Sequence, residues 1–226
     1  AGAAAVAYAG VLLVDGVKSA IADEAAQAKL ALTLKNVAGA TDETIAVTEQ
    51  WIANMGRAFG VTDDELRPAY ERLARATGDI ATTQKAATLA IDIAAGSGKS
   101  LEAVSNALGK AYEGNTTSLA KLGIGLTKTQ LSSMTLDEVM VSLAETFGGQ
   151  ASAKADTFEG KMARLKLTFD EAKETAGSFV LNALTPLVDF VVSKVIPALS
   201  SLGSEVGEKL SPIFAHIGGF IMATLI

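Results

Sequence analysis

Cysteine is absent from all 226 residues, so neither a disulfide framework nor a thiolate metal site can form, and the redox compartment stays open. Histidine occurs once, as His216 in IFAHIGG, which excludes a multi-histidine metal site. A lone histidine in apolar surroundings reads as a packed or interfacial residue rather than a catalytic base. Aromatic residues are scarce at 5%, while hydrophobic residues reach 49% and many of them are alanine. That balance suits closely packed helices and not an aromatic-rich sheet core. A positive excess is also missing: the net charge of −6 and pI near 4.9 argue against nucleic acid as the main partner, and no sequence-specific nucleic-acid contact is expected. Alternation of strand type is lacking over any useful length, so the expected fold class is all-α.

One motif invites an enzymatic reading. Ala94 to Ser100 spells AAGSGKS, whose last four letters match a phosphate-binding loop. That loop needs a further glycine five residues before Gly98, where backbone N–H groups wrap the phosphates, and Ile93 stands there instead. It also follows a buried strand, whereas TTQKAATLAIDIAAG runs at helical spacing. The stretch therefore reads as a joint between two helices, with Gly96 as the C-terminal glycine and Ser97 or Ser100 as the next N-cap. No nucleotide, other cofactor or metal is expected. The Asp and Glu residues scatter over helix faces without an acid, nucleophile or zinc constellation, so no enzyme is expected either.

The ends are apolar. The chain begins without methionine in AGAAAVAYAGVLLV and closes in IGGFIMATLI, so the expectation is a piece of a longer polypeptide. The opening run lacks the basic region of a secretory signal and, with fourteen residues before Asp15, falls short of the roughly twenty that a span needs. A buried helix is expected there. Ile213 to Ile226 carries no formal charge and has the composition of the first half of a span.

Between the ends, helices follow one another. DGVKSAIADEAAQAKLALTLKNVAG is amphipathic and ends at Gly39, and Asp42 opens a helix to Gly56 or Phe59. Thr62 and Glu65 have capping-box spacing before a helix to Thr77, in which Pro68 predicts a kink or a later start. Asp79 opens a helix to Gly96, and Leu101 to Tyr112 makes the next. Gly114 and Asn115 lead into TTSLAKL and the turn at Gly123 to Gly125, and Thr135 or Asp137 starts a helix that stops at Gly148 and Gly149. Breaks are thus expected at Gly39, Gly56, Gly78, Gly96, Gly114, Gly123 and Gly148.

The strongest pattern follows. Phe158, Met162, Leu165, Phe169, Ala172, Ala176, Phe179 and Ala183 are spaced by alternating fours and threes, a heptad seam. Charged residues fill the other faces, with Lys166 and Asp170 at i,i+4 spacing. Gly160 and Gly177 lie within the seam's span. Its helix is expected to end at Thr185-Pro186, with Thr185 as N-cap and Pro186 at the first position of a new helix, PLVDFVVSKV, whose stripe is Leu187, Val188, Val191 and Val195. Pro197 kinks or closes that helix. The pattern serves equally a helix pair within one chain or a coiled coil between chains.

The ordered segments LGKAYEGNTTSLAKLGIGLT (108–127), ETFGGQASAKADTFEGKMARLKLTFDEAKETAG (145–177) and ALTPLVDFVVSKVIPAL (183–199) resemble the tail tape measure proteins of long-tailed bacteriophages, in particular those with actinobacterial hosts. FGVTDDELRPAYERLARATGD (59–79) and AGSGKSLEAVSNALGK (95–110) extend the resemblance, which covers about residues 40–200. It implies a virion structural protein that sets tail length through its own length and leaves through the tail tip during DNA delivery. It implies tail tube and tail tip proteins as partners, and a location in the tail lumen or at the tip. With it comes the expectation of a homo-oligomer, a trimer joined along the seam. The alternative is a membrane-active segment that helps the genome cross the host envelope, with the host membrane as partner. The expected organisation is apolar and amphipathic helices over 1–39, a compact helical domain over 40–150, the heptad-patterned helix over 151–185, and apolar helices over 186–226.

Overall fold

Five polar residues set most of the helix starts. Thr41, Asp79, Ser100, Thr127 and Thr135 each sit in extended backbone and accept a hydrogen bond from the N–H three residues on, at 2.7 to 3.3 Å. Each satisfies an N–H that the helix itself leaves without a partner. This computed structural model describes the backbone of residues 2–195 and the side chains of 15–186 and 189–194, and nine α-helices occur among the described residues, five of them opened by these caps. They are α1 (Gly2–Ala38), α2 (Asp42–Phe59), α3 (Asp63–Thr77), α4 (Ile80–Ser97), α5 (Leu101–Tyr112), α6 (Lys128–Ser133), α7 (Leu136–Phe147), α8 (Gln150–Ala155) and α9 (Phe158–Phe190). A 3-10 stretch, Thr116–Leu122, joins α5 to α6, and a π-helical turn, Val191–Val195, extends α9. Helix makes up 86% and no strand occurs among the described residues, so the chain is all-α.

Several expected local details differ. The apolar opening run and the amphipathic segment after it form one helix, α1, without a break. The Thr62 capping box does not form, because the Glu65 N–H donates to the Thr62 carbonyl (3.1 Å) and the hydroxyl makes no cap bond. Full boxes stand instead at Thr127 with Gln130 and at Thr135 with Glu138. Helix α3 starts at Asp63 without displacement and runs through Pro68. The proline's missing N–H falls opposite the carbonyl of Asp64, one turn back. Gly56 and Gly96 are helical, and the breaks lie at Gly60 and Gly98, both left-handed (φ 69°). Gly56 is required for clearance, since a Cβ there would stand 2.7 Å from the Val61 carbonyl oxygen. His216, Pro197 and the uncharged run from Ile213 lie outside the described residues.

The chain divides into two units, residues 1–24 with 169–226, and residues 25–168, so the divisions fall inside α1 and α9. The expected compact domain over 40–150 lies within the second unit. There α3 is the central helix: Leu66, Ala69, Tyr70, Leu73 and Ala74 are buried, and it packs on α4 and α5. Fully burying each large apolar side chain contributes about 1.5–3 kcal/mol. The Tyr70 ring tilts 55° against Trp51 at 5.5 Å between centroids, and its hydroxyl points to the Ile80 carbonyl at 3.5 Å.

Two buried charges on α3 tie neighbouring helices to it. Arg67 pairs with Glu49 of α2 and with Asp63, each at 2.9 Å. Glu71, one turn on, accepts from Thr33 of α1 (3.0 Å), pairs with Lys29 (3.1 Å) and meets Arg75. Such groups cost several kcal/mol to bury alone, so their partners fix which helices can sit beside α3.

In the first unit, α1 and α9 touch backbone to backbone. A Cβ at Gly177 would fall on the Gly16 carbonyl group, and one at Gly16 would stand 2.5 Å from the Lys173 carbonyl oxygen. Val17 and Ala20 are buried beside this crossing.

Candidate docking seam

Heptad spacing places Phe158, Met162, Leu165, Phe169, Ala172, Ala176, Phe179 and Ala183 on one face of α9, and every one of them is exposed. Phe158 is 81% exposed, Phe169 66% and Phe179 76%. The opposite face is the buried one. Leu167 is 7% exposed, and Gly160 lies so close to Lys154 and Ala155 that a Cβ would overlap their backbone. The Arg164 guanidinium donates to the Ala155 carbonyl at 3.0 Å and fastens the start of α9 to α8. Gly160 and Gly177 therefore do not interrupt the seam. They sit on the far side of the helix, where they allow close approach and hold the seam face outward.

The alternative of a helix pair within one chain is not realised among the described residues, since no described helix covers the seam. Covering its five large residues would contribute on the order of 1.5–3 kcal/mol each before the entropy of association is charged. Charges flank the stripe, but the expected Lys166–Asp170 pairing gives way to Asp170 with Lys173 at 2.6 Å. The i,i+3 partner lies nearer the Asp170 carboxylate than the residue one turn before it.

Pro186 does not end the helix. It lies inside α9, and Thr185, expected as an N-cap, donates its hydroxyl back to the Leu181 carbonyl at 2.9 Å. The carbonyl that Pro186 leaves without a donor is that of Asn182, on an exposed stretch where water can reach it. Of the stripe expected beyond it, Val191 is half-buried, while the side chains of Leu187, Val188 and Val195 lie outside the described residues. Phe190 and Val192 are exposed. Among the described residues, Phe158–Lys194 is the stretch long and apolar enough to cross a membrane by length and composition, with a mean hydropathy of 1.5 in its best window. Residues 175–188 carry no charge.

No protein-family model matches the chain, and no curated protein or solved structure matches it.

The phosphate-loop look-alike is placed between helices. Ala94 to Ser97 form the last turn of α4, Gly98 closes it by donating its N–H to the Ala94 carbonyl (3.1 Å), and Ser100 caps α5. Of the expected caps, Ser100 is the one used. The Ser97 hydroxyl donates to the Ile93 carbonyl at 2.6 Å. Among the described residues no group of three or more His, Asp or Glu is placed to hold a metal ion.

Proposed function

We propose that the chain is a segment of a tail tape measure protein, a structural and interaction protein of a long-tailed bacteriophage virion that sets tail length and leaves through the tip during DNA delivery. The observation that carries this reading is the ordered set of resembling segments, above all the run that leads into α9. A 33-residue helix with an outward apolar stripe supports it, because at about 1.5 Å per residue such a helix advances roughly 50 Å and measures length directly. In this reading the seam joins copies of the chain around an axis, three in number, and tail tube and tip proteins surround them. The role is mechanical and involves no catalysis. A cryo-EM map of the parent particle is the test. Density for α9 inside the tail tube or at its tip is expected, and density confined to the capsid or to the outer tail surface would reject the reading.

A second reading, passage of the genome across the host envelope, is favoured by one observation: the exposed and uncharged character of the later part of α9. Flotation with liposomes tests it. The chain is expected to rise with the vesicles and a Phe179→Asp, Phe190→Asp variant to stay behind, because each added charge costs about 2.5–3.5 kcal/mol at the centre of a span. Failure of the unaltered chain to float removes this reading.

A further inference from the structure

Within the second unit, α5 and the 3-10 stretch after it flank an open cavity of about 520 Å³, and four exposed lysines line it: Lys99, Lys110, Lys121 and Lys128. They come from four places, the joint before α5, the end of α5, the 3-10 stretch and the first position of α6. No carboxylate lines the cavity, although the chain as a whole carries a net charge of −6. None of the four ammonium groups forms an ion pair within 4.0 Å, in contrast to Lys29, Lys35 and Lys173, which all do.

The walls are held in place. The Ser118 hydroxyl donates to the Ala107 carbonyl (2.8 Å), which fixes the 3-10 stretch on α5, and the Thr116 hydroxyl donates to the Leu131 carbonyl (2.8 Å), which fixes it on α6. Polar side chains also line the space. The Asn115 side-chain oxygen accepts from the Thr117 hydroxyl at 2.9 Å, which leaves its amide N–H groups to donate, and Asn106 lines the same wall. Four unpaired cations converging on one space repel one another, and an anion with several charges relieves that repulsion.

We propose that this cavity binds a compact anion bearing adjacent phosphate groups. A short chain of phosphates matches separate ammonium groups, each of which acts as a point charge on a flexible stem. Compactness follows from charge: a long polyanion would extend beyond the four lysines over a chain whose net charge is −6, whereas a small one ends within the cavity. The site differs from a nucleotide loop, since side-chain cations and not wrapped backbone N–H groups supply the contacts. The base of a nucleotide therefore adds nothing.

Titration calorimetry of the full chain at low ionic strength, about 20 mM, tests this with orthophosphate, pyrophosphate, tripolyphosphate and ATP as probes. Tripolyphosphate is expected to bind more tightly than pyrophosphate, and pyrophosphate than orthophosphate, with ATP within about threefold of tripolyphosphate. Lys110→Gln and Lys121→Gln each weaken tripolyphosphate about three- to tenfold, as exposed charge-assisted contacts do. Lys85→Gln, on α4 away from the cavity, leaves it unchanged, and all variants keep the helical circular dichroism because the replaced side chains are exposed. No measurable tripolyphosphate binding, or equal weakening by Lys85→Gln, overturns the proposal. So does ATP binding more than tenfold tighter than tripolyphosphate, which would assign a nucleotide site. A single-stranded oligonucleotide whose affinity grows with length and is lost in the same variants would overturn it in favour of a nucleic-acid groove.

Discussion

Replacing Leu165 and Phe169 together by aspartate is expected to turn the sedimenting species from oligomer to monomer while the helical circular dichroism stays as it was. Both residues are exposed on the chain, at 49% and 66%, so the substitutions remove little packing within it. Exposed changes of this kind shift folding stability by about 0.5 kcal/mol. Between chains the arithmetic is different. An aspartate pressed into an apolar seam without a partner costs several kcal/mol, and about 3 kcal/mol per chain already lowers association roughly a hundredfold. Around an axis the like charges also face one another. Analytical ultracentrifugation of both forms is decisive: an unaltered chain that stays monomeric at high concentration, or a variant that loses helicity, contradicts the assembly reading. The opposite face supplies a control, because Leu167→Asp is buried and should reduce helicity and stability instead.

Tyr70→Ala is expected to lower thermal stability by about 3–5 kcal/mol, the usual cost of deleting a buried aromatic ring. For a chain of this size that is on the order of 10 °C in the unfolding midpoint. The residue is 1% exposed and packs edge-tilted against Trp51, so its removal leaves a cavity in the core. Tyr70→Phe separates the ring from its hydroxyl. At neutral pH its effect should be the smaller one, about 1 kcal/mol, from losing the hydroxyl's contacts with Ile80 and Thr48. In alkali the two forms diverge. Burial, only partly offset by the Thr48 hydrogen bond and added to by the Asp79 charge, pushes the Tyr70 phenol up to about 12 from an ordinary 10.0. The fold therefore favours the neutral phenol, and its contribution is complete below pH 10 and is lost as pH rises towards 12. The Phe variant should lose stability less steeply across that window. Tyr112, also pushed up by burial, titrates in both forms. Identical alkaline profiles would show that the Tyr70 hydroxyl plays no part.

How much of this was legible depended on how local the cause is. Asp79, Ser100 and Thr135 announce their helices because the cap lies within three residues of the N–H it satisfies. The seam was legible for the same reason: its period belongs to one helix. Which way it faces was not, because that depends on Gly160 meeting α8 and Gly177 meeting α1, contacts between distant segments. Helices α6 and α8, with six residues each, are too short to show a period, although the Thr127–Gln130 spacing was available as a signal. The lysine-lined cavity had no signature at all. Its lysines sit in four different elements, and only the folding of the 3-10 stretch over α5 brings them to one space.

The two glycines of AAGSGKS answer unrelated demands. A methyl group at position 96 would stand 2.8 Å from the Phe147 ring, whereas position 98 has nothing within 4 Å and needs glycine only for its left-handed backbone. Asparagine tolerates that backbone, so AAGSNKS encodes the same joint without any likeness to a nucleotide loop. Two separate local demands thus account for the glycines of the word that invites an enzymatic reading: one letter is fixed by the ring of a distant phenylalanine, the other by the way a helix ends.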